Sequence, residues 1–386
     1  LASTCIPEQA VGGPRSGRGW FFRSCELSIC RKRERMVQLS ENQTETGNQA
    51  AVGCSSAIDV LTAFEEACKL AESNINLSGV NVALICASVP YRDELESLGV
   101  TVPALLNKFL GLDEEKVTVF GTFTKSIGAV ADDRVACAQT SNPDLPQGQL
   151  LTLMLLAVDG ISGGYFQLPR QNRHFRSSRR GSREKDEQVS AGLEITWLGA
   201  RPKVDPDVVV VNYQSFALPL FLDSIPASVV FGGKLPNHDG VQSGTTLGSQ
   251  FLPYSTPAGL ALWLDKAKLQ FDIIECKAST NENDQMDASF AEVREAYDAK
   301  AKTRMKDTGM STRPIFGFFV SCYCRYAGCQ LAEFTMSGCD LQRLARYFPG
   351  VPTIGTFGYG EILPSEARFV YFCGTFCVIS EIVKPL

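Results

Sequence analysis

The chain has 386 residues, of which 44% are hydrophobic and 20% charged, with a net charge of −5 at neutral pH. That is the make-up of a globular chain long enough for one large or two medium domains. It gives no electrostatic case for a nucleic-acid or membrane partner, and no apolar run reaches the ~20 residues that span a bilayer.

The 14 cysteines are spread through apolar strand-like and helix-like runs, among them Cys68, Cys86, Cys276, Cys373 and Cys377. No secretory signal accompanies them. Buried free thiols in a reducing compartment are therefore expected, with an intracellular, cytoplasmic location. At the start, Gly12, Gly13, Gly17 and Gly19 mix with Arg15, Arg18, Arg23, Arg31, Arg33 and Arg35 without apolar periodicity. Residues 1–52 are expected to be a disordered tail or a sequence artefact, with an organelle transit peptide as the open alternative. Ser55-Ser56 is the expected N-cap of a first helix, in which Ile58, Leu61, Phe64, Ala67, Cys68 and Leu70 recur at helical spacing.

A strand–helix–strand pattern then occurs three times. Val82–Ala87, a helix over Asp93–Leu110 and Lys116–Phe120 form the first unit. Asp207–Val211, Phe216–Ser224 and Ala227–Val230 form the second. Ile315–Val320, Glu333–Tyr347 and Val351–Ile354 form the third. The second strands run into Gly121-Thr122-Phe123, Phe231-Gly232-Gly233 and Gly355-Thr356-Phe357, read as glycine turns at strand ends. Intervening helices permit right-handed crossovers between parallel strands; because no fixed period is present, coincidence is the competing reading. Leu150–Val158, Gly192–Leu198, Gly259–Leu264 and Leu269–Cys276 read as added antiparallel strands, and Met286–Met305 as an amphipathic helix. The expected class is mixed α/β, strand–helix–strand units with mixed sheets in two related halves, divided as 53–280 and 281–386. The polar segment 167–187 carries six arginines and reads as a disordered surface insert rather than a nucleic-acid patch.

The stretch Phe348-Pro349-Gly350-Val351-Pro352-Thr353-Ile354-Gly355-Thr356-Phe357-Gly358-Tyr359-Gly360-Glu361-Ile362 resembles the carboxy-terminal signature of FIST domains. Phe348, Pro349, Val351, Pro352, Gly355, Phe357, Gly360, Glu361 and Ile362 match it, while Thr356 and Leu363 depart. Ser321-Cys322 and Arg325 echo a second family motif, with Cys324 and Tyr326 standing where that motif has glycines. Gly232-Gly233 echoes a third, and the family's late histidine has no counterpart near Phe372-Cys373-Gly374-Thr375. The resemblance covers about residues 81–382.

It implies a non-enzymatic sensory domain for a small molecule such as an amino acid, in a pocket lined by Gly121, Gly232, Cys322, Arg325, Gly355, Gly360 and Glu361. Arg325 and Glu361 would fix the ligand's polarity; a simple ion pair between the two is the alternative. The second reading implied is a substrate-selecting adaptor, since FIST modules occur behind an F-box in ubiquitin-ligase subunits, although no F-box is recognisable in residues 1–52. A protein partner in a ubiquitin-ligase or signalling context follows from that reading.

Other chemistry has weaker support. Cys322, Cys324, Cys329 and Cys339 lack the paired spacing of zinc sites. His174 and His238 sit in polar segments, which leaves an enzyme centred on His238 or Cys322 as the third reading. Neither a Walker loop nor a dinucleotide fingerprint is present, so no cofactor and no metal are expected.

Overall fold

The computed structural model describes residues 47–131, 134–139, 149–168, 195–198, 204–213, 225, 227–235, 237–238, 241–253, 256–276, 283–322, 340–358, 361–365, 368–370 and 374–384. Residues Asn48–Leu386 form one compact unit. Its elements fall into three segments. The first runs β1 (Gln49–Ser55), α1 (Val60–Glu72), β2 (Val82–Ser88), α2 (Val89–Leu98), α3 (Val102–Leu110), β3 (Thr118–Thr124), the hairpin β4 (Ser126–Ala131) and β5 (Arg134–Gln139), then β6 (Leu151–Ala157). The second runs β7 (Ile161–Gln167), β8 (Thr196–Leu198), β9 (Val208–Tyr213), β10 (Val229–Lys234), β11 (Asn237–His238), β12 (Val241–Gln242), β13 (Gly244–Leu247), β14 (Gln250–Pro253) and β15 (Ala258–Leu264). The third runs β16 (Leu269–Cys276), α4 (Asn283–Thr308), β17 (Ser311–Cys322), α5 (Asp340–Tyr347), β18 (Thr353–Gly358), the hairpin β19 (Glu361–Leu363) and β20 (Arg368–Val370), then β21 (Gly374–Val383).

The class is the mixed α/β arrangement of strand–helix–strand units that the sequence predicts, and its amino- and carboxy-terminal halves are related. Sheet I has the order β1-β6-β2-β3-β13-β14 and sheet III the order β16-β21-β17-β18-β4-β5. In both, the third and fourth strands are parallel and every other neighbour antiparallel. Sheet II, β8-β7-β15-β9-β10-β19-β20, repeats this pattern with β8 added at its edge.

Each segment gives its hairpin away. The hairpin β4–β5 follows β3 in sequence but pairs with β18 of sheet III. Strands β13–β14 pair with β3 of sheet I, and β19–β20 with β10 of sheet II. The exchange is cyclic, and sheets II and III each hold strands from both sides of residue 280. The expected boundary at 280/281 therefore does not separate two independently packed domains.

The inward faces of the three sheets meet in one core, which includes Val82, Leu84 and Phe120, Val208, Val210 and Phe231, and Phe318, Val320 and Ile354. Helices cover the outer faces: α1–α3 pack Phe64, Ala67, Leu105 and Leu106 on sheet I, and α4 and α5 pack Phe290, Tyr297, Leu341 and Leu344 on sheet III. Burial on both faces explains the unbroken apolar run in β2.

Several local expectations change. Strand β1 begins at Gln49, inside the segment read as a tail, and pairs along its whole length with β6. The first helix is capped by Asp59, whose side chain accepts from Thr62 N at 2.8 Å, instead of by Ser55-Ser56. The helix expected over 93–110 is two helices. Gly99, at φ 64°, ends α2 in the left-handed region, and Thr101 caps α3 with Pro103 in its first turn. The expected helix 216–224 and most of the arginine-rich insert lie outside the described residues.

The largest correction concerns the glycine turns. Gly121, Gly232 and Gly355 lie inside β3, β10 and β18, opposite Ile85, Val211 and Phe319. A Cβ on Gly232 would stand 2.0 Å from Val211 O, one on Gly355 1.9 Å from Phe319 O, and one on Gly121 2.4 Å from Thr246 Cγ2. These glycines permit close packing between strands; they do not line a pocket. Gly355→Ala or Gly232→Ala is expected to destabilise by about 3 kcal/mol, because neighbouring backbone must move. Gly99→Ala, whose added Cβ meets nothing within 4 Å, should cost about 1 kcal/mol from its backbone conformation alone. Equilibrium urea unfolding of the three variants measures the difference.

Candidate functional site

The strand pairing stacks two inward-facing layers at the carboxyl ends of the parallel strands. In the lower layer, Cys86, Thr122 and Thr245 lie side by side in sheet I. Asn212, Gly233 and Glu361 lie side by side in sheet II, and Val320, Thr356 and Ile127 in sheet III. The next inward positions are Ser88 and Thr124 in sheet I and Cys322 and Gly358 in sheet III. Ser243 and Lys125 precede Thr245 and Ile127 by two residues, so strand alternation directs them the same way. Lys125 is the crossing between β3 of sheet I and β4 of sheet III. The barrel interior is thus apolar along most of its length and polar at this mouth.

The polar groups here are buried. Ser88, Thr124 and Glu361 are fully enclosed, Lys125 is 3% exposed and Asn212 4%. Asn212 Nδ2 donates to Thr122 Oγ1 at 2.6 Å and to Thr245 Oγ1 at 3.3 Å, tying sheet II to sheet I. Ser88 Oγ accepts from Leu150 N at 3.0 Å. Opposite it, Thr124 Oγ1 is buried without a hydrogen-bond partner, as are Gln149 Oε1 and the Oγ of Ser126, which alternates with inward Ile127 and faces away from the mouth, three of the five such side-chain atoms among the described residues. An orphaned buried hydroxyl or amide costs about 1–3 kcal/mol.

Ser88 stands at a strand-to-helix turn. It is the N-cap residue of α2, yet its side chain makes no capping bond, and Pro90 occupies the helix's first turn. The first-turn N–H groups of α2 therefore lack their usual side-chain acceptor. Arg92, whose side chain is only 12% exposed, lies beside the sheet I hairpin: a Cβ on Gly244 would stand 3.1 Å from its Nη1.

The position equivalent to Ser88 in sheet III is Cys322, a buried cysteine. The strand end that carries it is held from outside the barrel. Ser321 Oγ donates to Asp340 Oδ2 at 2.7 Å. Fully buried Arg343 donates from Nε to Asp287 Oδ1 at 2.7 Å, with Nη1 3.8 Å from Asp340 Oδ1. Elsewhere, burial pushes the Cys54 and Cys68 thiols up to about 12 and those of Cys86 and Cys377 higher still, and it lowers the Lys234 ammonium.

Of the residues singled out in sequence, Cys322 and Glu361 reach this mouth, on different sheets. Arg325 and Gly360 lie outside the described residues, so a clamp between Arg325 and Glu361 has no described geometry. Gly121, Gly232 and Gly355 belong to strand interiors. Cys324, Cys329 and Cys339 also fall outside the described residues, as does the side chain of His238. Among the described residues no group of three His, Cys, Asp or Glu side chains could hold a metal, and no helix is long and apolar enough to cross a membrane. Ser88, Thr124 and Lys125 were missed. Lys125 did carry a signal, being the sole charge between Val117 and Ala131.

No family model matches the chain, and no curated protein matches it. Two solved structures similar to it are cyanuric acid hydrolases. One has a TM-score of 0.37 at 9% identity, covering 87% of this chain and all of its own. The other, from A. caulinodans, has a TM-score of 0.34 at 10% identity, covering 86% and 99%. With Gly121, Gly232 and Gly355 in strand interiors and lining no pocket, the expected non-enzymatic sensory domain built on them does not stand.

The thiols shifted upward by burial are expected to resist alkylation. At pH 8, Cys54, Cys68, Cys86 and Cys377 should react with iodoacetamide only after unfolding, because thiolate is the reactive form. Peptide mass mapping before and after denaturation checks this.

Proposed function

We propose that the polar mouth of the barrel is an acyl-transfer active site of the hydrolytic kind, with Ser88 as its nucleophile, in a chain related to FIST domains through Phe348–Ile362. The observation that carries this reading is buried Thr124, its hydroxyl unpartnered, directly opposite a serine at a strand-to-helix turn. A serine needs a proton acceptor and a place for the developing oxyanion. Lys125 is the side chain of the described mouth that can take the Ser88 proton and return it to the leaving group, a role lysine fills in Ser–Lys hydrolases. The uncapped first turn of α2 offers N–H donors and a positive dipole end to the carbonyl oxygen. Thr124 would orient a small polar amide or ester by a hydrogen bond from its buried hydroxyl. The FIST-like motif contributes Thr356, Gly358 and Glu361 to the same end of the barrel.

A fluorophosphonate probe tests the nucleophile. Mass spectrometry should find one adduct on Ser88 in the native protein, none in Ser88→Ala, and labelling slowed about a hundredfold in Lys125→Met, the scale of a lost general base. Hydrolysis of p-nitrophenyl esters and anilides should fall in parallel. Folded protein that stays unlabelled, or labelling unchanged in Ser88→Ala, refutes the assignment.

A further inference from the structure

The inner face of sheet I carries a patch of hydroxyl groups at the mouth. Ser88 and Thr124 form its upper row, and Cys86, Thr122 and Thr245 its lower row. All five are buried. The upper row belongs to the scissile bond. The lower row has no part in that chemistry, yet it is the better ordered of the two.

Asn212 of sheet II organises it. The amide Nδ2 of Asn212 stands 2.6 Å from Thr122 Oγ1 and 3.3 Å from Thr245 Oγ1 and donates to both. A hydroxyl that accepts a hydrogen bond still has its own hydrogen to give. Among the described residues neither Thr122 nor Thr245 gives that hydrogen to an acceptor. The two hydroxyls are therefore held as donors, side by side on directly paired residues. Buried donors without an acceptor cost free energy, and one oxygen with two lone pairs satisfies both.

The charge of that oxygen follows from the same groups. The two hydroxyls and the Asn212 amide are neutral, and burial raises the neighbouring Cys86 thiol, which keeps its proton. A buried anion would find no countercharge in these residues, whereas a neutral carbonyl needs none.

We propose that Thr122 and Thr245, positioned by Asn212, bind a second, neutral carbonyl of the substrate, whose acyl part has the carbonyl spacing of a peptide. This deepens, and rests on, the reading of Ser88 as the nucleophile. Thr122 is diagonal to Ser88, one strand across and two residues along, which separates them by about 7–8 Å. Two carbonyl carbons three bonds apart span that gap once a hydrogen bond is added at one end and the attacking oxygen at the other.

N-acetylglycinamide and pentanamide are the probes, alike in length and differing in the second carbonyl, with glutaramate as the anionic counterpart. They are titrated calorimetrically into Ser88→Ala, which cannot be acylated. N-acetylglycinamide should bind about tenfold more tightly than pentanamide or glutaramate, the scale of one added hydrogen-bonded acceptor. The preference should vanish when Thr122→Val or Thr245→Val is added and persist with Thr245→Ser, folding being checked by circular dichroism. No binding, equal affinity for N-acetylglycinamide and pentanamide, tighter binding of glutaramate, or a preference unaltered in the folded valine variants overturns the proposal. Labelling of Ser88 is a separate readout: a threonine-dependent preference with Ser88 unlabelled retains the carbonyl site and refutes the nucleophile alone.

Discussion

Backbone pairing between segments distant in sequence is the constraint on which the rest of this protein depends. No segment completes its own sheet: β3, β10 and β18 each find their outer neighbour in a hairpin supplied by another segment. A strand left without that neighbour would present bare N–H and C=O groups at the margin of the core. The cyclic exchange satisfies them, and it also forces the three sheets to stand side by side around one apolar interior. Pairings of such long range make topology, more than local propensity, the slow element of folding.

The functional mouth follows from the same exchange. The crossings from β3 to β4, from β10 towards β13 and from β18 to β19 take place at the carboxyl end of the parallel strands. The crossing residue is therefore delivered to the barrel's end and not to an outer face. Lys125 is buried there because it links β3 to β4, and Glu361 because it opens β19 in sheet II. Burying such groups is costly unless their surroundings are polar, and Asn212, Thr122, Thr245 and Thr356 supply polar surroundings. Thr124, whose hydroxyl is unpartnered, lies directly opposite Ser88, where strand β2 gives way to α2.

Pseudo-symmetry makes the departures from it informative. Ser88 and Cys322 hold one equivalent position, and Asn212 holds the position of Cys86 and Val320. The Arg343–Asp287 and Asp340–Ser321 contacts brace the strand end that carries Cys322, whereas the residue equivalent to Ser321 in sheet I is Ala87. Outside the barrel, α1 and α4 cover the equivalent faces of sheets I and III. Where a repeated architecture is broken, the break is a better guide to function than the repeat, because packing alone would have favoured the same solution each time.

The sequence by itself determined the class of the fold, the apolar runs that became β2, β6, β9, β15 and β16, and the long helix α4, since periodicity and burial on two faces are written in local composition. It also drew attention to Cys322 and Glu361, both of which reach the mouth. Only the tertiary structure decided that Gly121, Gly232 and Gly355 are points of close strand contact, because a glycine at a turn and a glycine under a neighbouring backbone look alike in one dimension. It alone brought Ser88 and Lys125 together, residues with no shared motif or spacing. Hairpin exchange is a choice of partner, and the partner lies far along the chain, beyond the reach of any local pattern.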